Sequence, residues 1–111
     1  DLAKYRAAWR DPIIFDYKDY RVISMAPPSS GGICLAQILK SIEPYEIQKF
    51  GHNSSKYVQL LAEAERRVYA DRAYFLGDPD FNVIPLDSMK STGYNRHRMS
   101  DFSWDRATLN A

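Results

Sequence analysis

The sequence predicts a mixed, predominantly helical α+β fold, with one β-hairpin, two substantial helices and smaller helical turns. Three observations carry that reading. Two runs rich in isoleucine, valine and aromatics flank Tyr17-Lys18-Asp19-Tyr20, the pattern of a two-stranded hairpin turning near Lys18 and Asp19. Leu35, Ile38, Leu39 and Ile42 recur at i, i+3, i+4 and i+7 and stop before Pro44, which marks an amphipathic helix. A longer helix starts at Ser54 or Ser55 and carries Tyr57, Leu61, Ala64, Val68 and Phe75 on one face. Gly77 and Pro79 end it.

The other elements follow in chain order. Leu2, Tyr5, Ala8 and Trp9 predict a short helix over residues 1–10, capped by Asp1 and stopped by Pro12. Pro27 and Pro28 close the hairpin segment, and Ser29 and Ser30 offer N-caps to the first long helix. On the second, Glu63 stands four residues before Arg67, an order that favours a surface ion pair of about 0.2–0.5 kcal/mol. Asp71 and Arg72 mark a charged face or an internal ion pair, while Tyr69, Tyr74 and Phe75 are expected in the core or at its rim. An irregular connector follows Gly77, then two helical pieces near 86–90 and 94–99. Residues 100–111 show no periodicity. Without repeats, low complexity or a dividing linker, residues 1–111 read as a single segment.

Composition narrows the function. The chain is 45% hydrophobic and 26% charged, which is ordinary for a globular protein and argues against disorder. With 15 basic against 14 acidic residues the net charge is +1, so there is no electrostatic footprint for nucleic acid or a membrane surface. Its apolar runs are far shorter than the roughly 20 residues of a membrane span. Cys34 alone forms no internal disulfide, and two histidines with one cysteine do not make a metal-binding spacing. Neither a metal nor a cofactor is implied. The opening "DLAKYRAAWRDP" is not a signal peptide, lacks an initiating methionine and looks like a helix in progress, so a segment of something larger is expected.

Few residues suggest chemistry. Ser29, Ser30, Gly31 and Gly32 lead into a helix N-terminus, where free N–H groups can hold an anion. The stretch lacks the P-loop lysine and the dinucleotide fingerprint. A tight strand-to-helix turn is the competing reading, with the glycines at positive φ. His52 and His97 have no partner acid or nucleophile legible in sequence and are expected at the surface or near a cap. Cys34 is expected to be buried as a small hydrophobe. Asp78 and Asp80 bracket Pro79, but without the glycine and glutamate of an EF-hand Asp78 is expected to start a turn and Asp80 to bond local backbone amides.

Taken in order, "DLAKYRAAWRDPI", "YRVISMAPPSSGG", "EAERRVYADRAYFLGDPDF", "VIPLDSM" and "STGY" resemble the later part of the large subunit of γ-glutamyltransferases, over about residues 1–94. The resemblance implies a segment of a larger αββα N-terminal-nucleophile hydrolase. In that family a precursor cleaves itself, and the new N-terminal threonine of the small subunit attacks the γ-glutamyl carbonyl of glutathione or a related amide. Water or an acceptor amine then resolves the acyl-enzyme. The implied partners are the small catalytic subunit and the rest of the large subunit. The family also implies a periplasmic or secreted location.

This chain departs from the family pattern where the chemistry lies. It has no Thr-Thr-His-x-Ser/Thr stretch: Thr92 precedes Gly93, Thr108 precedes Leu109, and neither is a nucleophile candidate. Arg6, Arg10, Arg66, Arg67 and Arg72 do not match the setting of the family's substrate-carboxylate arginine. No catalytic residue is therefore assigned, and Ser29, Ser30, Gly31 and Gly32 stay the only substrate-contact candidates. The expectation is a structural part of the enzyme, inactive alone. The alternative is a free-standing helical interaction module using exposed aromatics.

Overall fold

In the computed structural model, which describes residues 2–109, the expected hairpin consists of β1 (Ile13–Tyr17) and β2 (Tyr20–Ser24). The strands are antiparallel, with Ile13 opposite Ser24 and Tyr17 opposite Tyr20. Lys18 takes a left-handed backbone at φ 51° and so turns the chain where neither Asn-Gly nor Asp-Gly is present. Strand alternation puts Ile13 and Phe15 inside, while Ile14 and its cross-strand neighbour Ile23 face outward.

Four helices follow: α1 (Gly31–Ile42), α2 (Ser55–Phe75), α3 (Leu86–Lys90) and α4 (Thr92–Arg98). Short 3-10 turns lie at Leu2–Lys4 and Ile47–Lys49. α1 is the central element, packed against β1, α2, α3 and α4. Its faces feed three apolar clusters. Ile33 and Cys34 meet Val68 and Met89, Ile42 meets Leu60, Ala64 and Met99, and Ala36 meets Ile13 and Phe15. A helix covered on several sides buries more than one stripe, so Ile33, Ala36 and Gln37 are fully buried while Leu35, expected inside, is 39% exposed.

The helix starts also differ in detail. Ser54 is the cap of α2, its hydroxyl accepting the Tyr57 N–H at 3.2 Å. Ser91 caps α4 in the same way through Tyr94 N–H, at 3.1 Å. Ser30 occupies the N-cap position of α1 without a side-chain cap bond. The helix expected over residues 1–10 shrinks to Leu2–Lys4, and Asp1, its expected cap, lies outside the described residues. Leu2, Tyr5 and Trp9 are exposed there, because none of the described residues covers the apolar stripe that would have held a helix together.

The aperiodic tail is ordered by aromatics. Tyr45, Phe50, Phe102 and Trp104 meet edge to face, with ring centres 4.8–6.0 Å apart. Tyr69 and Tyr74, expected near the core, are exposed. The radius of gyration is 16.0 Å, above the about 13 Å of a compact chain this size, as fits an extended N-terminal arm. Among the described residues no helix is long and apolar enough to cross a membrane.

Candidate functional site

The turn between β2 and α1 is built from its backbone outward. The Pro27–Pro28 bond is cis, Ser29 N–H bonds to Ala26 C=O at 3.2 Å, and Ser29 Oγ accepts the Gly31 N–H at 3.3 Å. That contact occupies one of the amides a bound anion would use. Both Gly31 and Gly32 lie within α1, and neither has the positive φ expected of it; among the described glycines only Gly51 does. The need for glycine at position 32 is close approach instead. A Cβ there would sit 2.2 Å from Met25 C=O and 3.2 Å from Ile13 side-chain atoms, whereas at Gly31 it would meet only Ser29 Oγ at 3.5 Å.

The Asp71-Arg72 pair of α2 joins this turn to the interior. Arg72 Nε donates to Ser30 Oγ at 2.9 Å, on the outside. Asp71, 6% exposed, points inward, and its Oδ2 accepts from Gln37 Nε2 of α1 at 2.8 Å and from Tyr94 O–H of α4 at 3.0 Å. Arg98 Nε lies 3.1 Å from Asp71 Oδ1, close enough for an ion pair although the N–H is not aimed along it. Burial, then the Asp71 contact, raises the Tyr94 pKa and keeps the phenol protonated. Burial likewise raises the Cys34 pKa, so this thiol is a packed hydrophobe and a poor nucleophile.

A second polar cluster overturns the surface role expected for Glu63 and Arg67. Both are buried, at 4% and 2% exposure. Arg67 Nη1 meets Glu63 Oε2 at 2.7 Å and Glu63 C=O at 2.8 Å, and Nε donates to Arg98 C=O at 2.7 Å. Nη2 donates to Asp101 Oδ1 at 2.5 Å and to Thr108 Oγ1 at 2.8 Å. Every guanidinium N–H is thus used, the condition under which a buried charge is tolerated. Burial alone would raise the Glu63 pKa, but the hydrogen bonds from Arg67 and Thr108 prevail and lower it from 4.5 to about 2.

A pH dependence follows. A carboxylate whose folded pKa is depressed stabilises fully above its unfolded pKa, so this contribution is intact above 4.5 and lost as pH falls toward about 2. The loss is on the order of 3 kcal/mol. Urea midpoints measured down this range should fall steeply in the parent and more shallowly in Glu63→Gln.

Beside the turn lies an open cavity of about 680 Å³ whose lining includes Arg6, Arg10, Ser24, Ser29, Asp78 and Asp80. The Asp80 carboxylate, expected to bond local backbone amides, instead pairs with Arg10 at 2.9 Å, because the N-terminal arm brings that guanidinium alongside it. Asp78 Oδ1 accepts the Asp80 N–H at 2.9 Å, the turn-forming role expected for Asp78. The lining holds no histidine, lysine or cysteine to activate Ser24 or Ser29. His52 and His97 are exposed. Thr92 opens α4, and Thr108 is held by Arg67 and Glu63. Of the sequence candidates, the structure gathers Ser29, Ser30 and Gly32 into one braced turn.

Sequence reasoning missed the Glu63–Arg67 cluster, and for Asp71 it offered an internal ion pair as one alternative without naming Gln37, Tyr94 or Arg98 as partners. A signal was present, because Leu60, Glu63, Ala64, Arg67, Val68 and Asp71 form one helical stripe in which apolar and charged residues share the same phase.

A family model described as gamma-glutamyltranspeptidase matches residues 1–111. The glutathione hydrolase proenzyme of Escherichia coli (strain K12) is 48% identical over 94 residues, covering 85% of this chain and 16% of that protein. The chain thus spans about a sixth of that relative's length. The crystal structure of Helicobacter pylori gamma-glutamyltranspeptidase superposes with a TM-score of 0.94 at 39% identity, over 98% of this chain and 31% of that one. Cephalosporin acylase from Bacillus halodurans shares the fold, with a TM-score of 0.81 at 22% identity over 92% of this chain and 18% of that one.

Proposed function

This chain belongs to the gamma-glutamyltranspeptidase family, and on that premise we propose that it is the C-terminal part of the large subunit of a self-processing precursor that cleaves γ-glutamyl amides, glutathione among them. The observation that carries the proposal is the structural agreement over 98% of the chain with the Helicobacter pylori gamma-glutamyltranspeptidase. The hairpin adds support. A two-stranded sheet is marginal alone, and here Ile14, Ile23 and Met25 are exposed, as expected of a sheet completed by other parts of a larger protein.

In this reading the chain supplies scaffold and the chemistry lies outside it. A threonine at the N-terminus of the small subunit attacks the γ-carbonyl, and its own α-amine takes the hydroxyl proton. The C–N bond breaks, and the leaving amine departs with a proton. A γ-glutamyl ester remains, which water hydrolyses or an acceptor amine cleaves. Oxyanion donors on neighbouring segments stabilise each tetrahedral intermediate. The braced turn over Ser29, Ser30, Gly31 and Gly32 supports the core from behind. The reading as a free-standing interaction module has no comparable support.

The test is to extend the source transcript beyond Ala111, express the full precursor and follow it on a denaturing gel with a γ-glutamyl anilide as substrate. Self-cleavage exposing an N-terminal threonine, with anilide turnover, is the expected result. The isolated chain should show no turnover. A precursor that stays whole and releases no amine overturns the proposal.

A further inference from the structure

Residues 101–108 form a loop whose two ends converge on one atom. Arg67 Nη2 donates to Asp101 Oδ1 at the start and to Thr108 Oγ1 at the end. The Thr108 N–H in turn donates to Glu63 Oε1 at 3.1 Å, so the Glu63–Arg67 pair grips Thr108 by backbone and side chain together. Between these anchors, Gln59 Nε2 donates to Ser103 C=O at 3.2 Å and to Trp104 C=O at 3.1 Å, while Trp104 packs on Tyr45, Phe50 and Phe102. The segment is therefore an Ω-type loop, its ends together and its tip in an aromatic pocket.

We propose that Arg67 and Glu63 are positioning residues that lock residues 101–108 onto α2, fixing where the chain leaves this domain and so placing the downstream self-processing junction. The maturation role rests on the function proposed above; the lock itself does not. Thr108 is suited to the grip because it offers an acceptor hydroxyl beside its N–H. Valine keeps its shape and loses the acceptor. Removing that acceptor frees one Arg67 N–H and leaves Asp101 and Glu63 in place, so Thr108→Val loosens the loop end with little effect on the helices.

Two readouts decide the matter in the full precursor. Arg106 lies inside the loop, so the rate of tryptic cleavage after Arg106 reports its opening. We expect Thr108→Val to raise that rate about threefold or more and Arg67→Met about tenfold, as for losses of about 0.6 and about 1.4 kcal/mol of loop closure. Self-cleavage should slow by similar factors, while the matured fraction keeps the parent KM and kcat. Arg67→Lys should rescue only in part, since an ammonium lacks the planar fork.

Unchanged cleavage after Arg106 in Thr108→Val overturns the lock, even if Arg67→Met fails to fold. Faster tryptic cleavage with unaltered self-processing overturns the maturation role. A parent precursor that never self-cleaves is a different result, which sinks the proposed function and leaves the tryptic readout to judge the lock.

Discussion

Gly32→Ala should be among the most damaging single substitutions in this chain, and Gly31→Ala, one residue away, should be tolerated. At position 32 the added Cβ would lie 2.2 Å from Met25 C=O, far inside the closest non-bonded approach of a side-chain carbon, with Ile13 crowding it at 3.2 Å. The clash is with backbone, so relief requires the end of β2 and the start of α1 to separate. Overpacking of a well-filled site costs about 1–3 kcal/mol, occasionally more, and a contact this short places Gly32→Ala at the upper end. Gly31→Ala meets only Ser29 Oγ at 3.5 Å and removes glycine's entropic penalty, worth about 0.5–1 kcal/mol in a helix. Urea midpoints should move in opposite directions. In the full precursor, Gly32→Ala should reduce soluble yield and maturation before it alters substrate affinity. Equal tolerance at both positions would show that the strand-to-helix junction is not closely packed.

Glu63→Ala should cost on the order of 3 kcal/mol, because it takes from a buried guanidinium its only buried counter-ion among the described residues. Arg67 would keep Asp101 and lose its in-helix carboxylate, and the Thr108 N–H would lose its acceptor. The double variant Glu63→Leu with Arg67→Met should recover most of that loss, since apolar replacement of both partners removes the unpaired charge. Asp101, largely exposed, would return to water at small cost. A double-mutant cycle of Glu63→Leu, Arg67→Met and the two combined, read on urea stabilities, gives the coupling directly. Additive losses would place the two side chains at the surface, as their spacing alone suggested.

That surface reading of Glu63 and Arg67 shows where sequence reasoning stopped. An i,i+4 pair of opposite charge is legible in one dimension, but whether it faces solvent depends on what covers the helix. Here the end of α4 and residues 101–108 cover it, and the latter have no periodicity to read. Leu35 fails for the related reason that α1 is enclosed on several sides, so the residues of one assumed stripe do not share one fate. The N-terminal apolar stripe is real as a pattern, yet Leu2, Tyr5 and Trp9 are all exposed and the helix stops at Lys4, because none of the described residues covers it.

What the sequence by itself determined are the local elements and the family. Two β-branched and aromatic runs about Lys18-Asp19 marked the hairpin, helical spacing marked α1 and α2 and two short pieces near 86–90 and 94–99, and ordered motifs placed the chain among the gamma-glutamyltranspeptidases. Those features depend on neighbours a few residues apart, or on whole blocks whose order survives in the chain. Only the tertiary structure decided the polar interior. Asp71 meets Gln37, Tyr94 and Arg98 across three helices, and Arg67 gathers Arg98, Asp101 and Thr108. A buried charge is tolerated only when distant partners satisfy all its donors and acceptors, and those partners are brought together by folding, not by spacing.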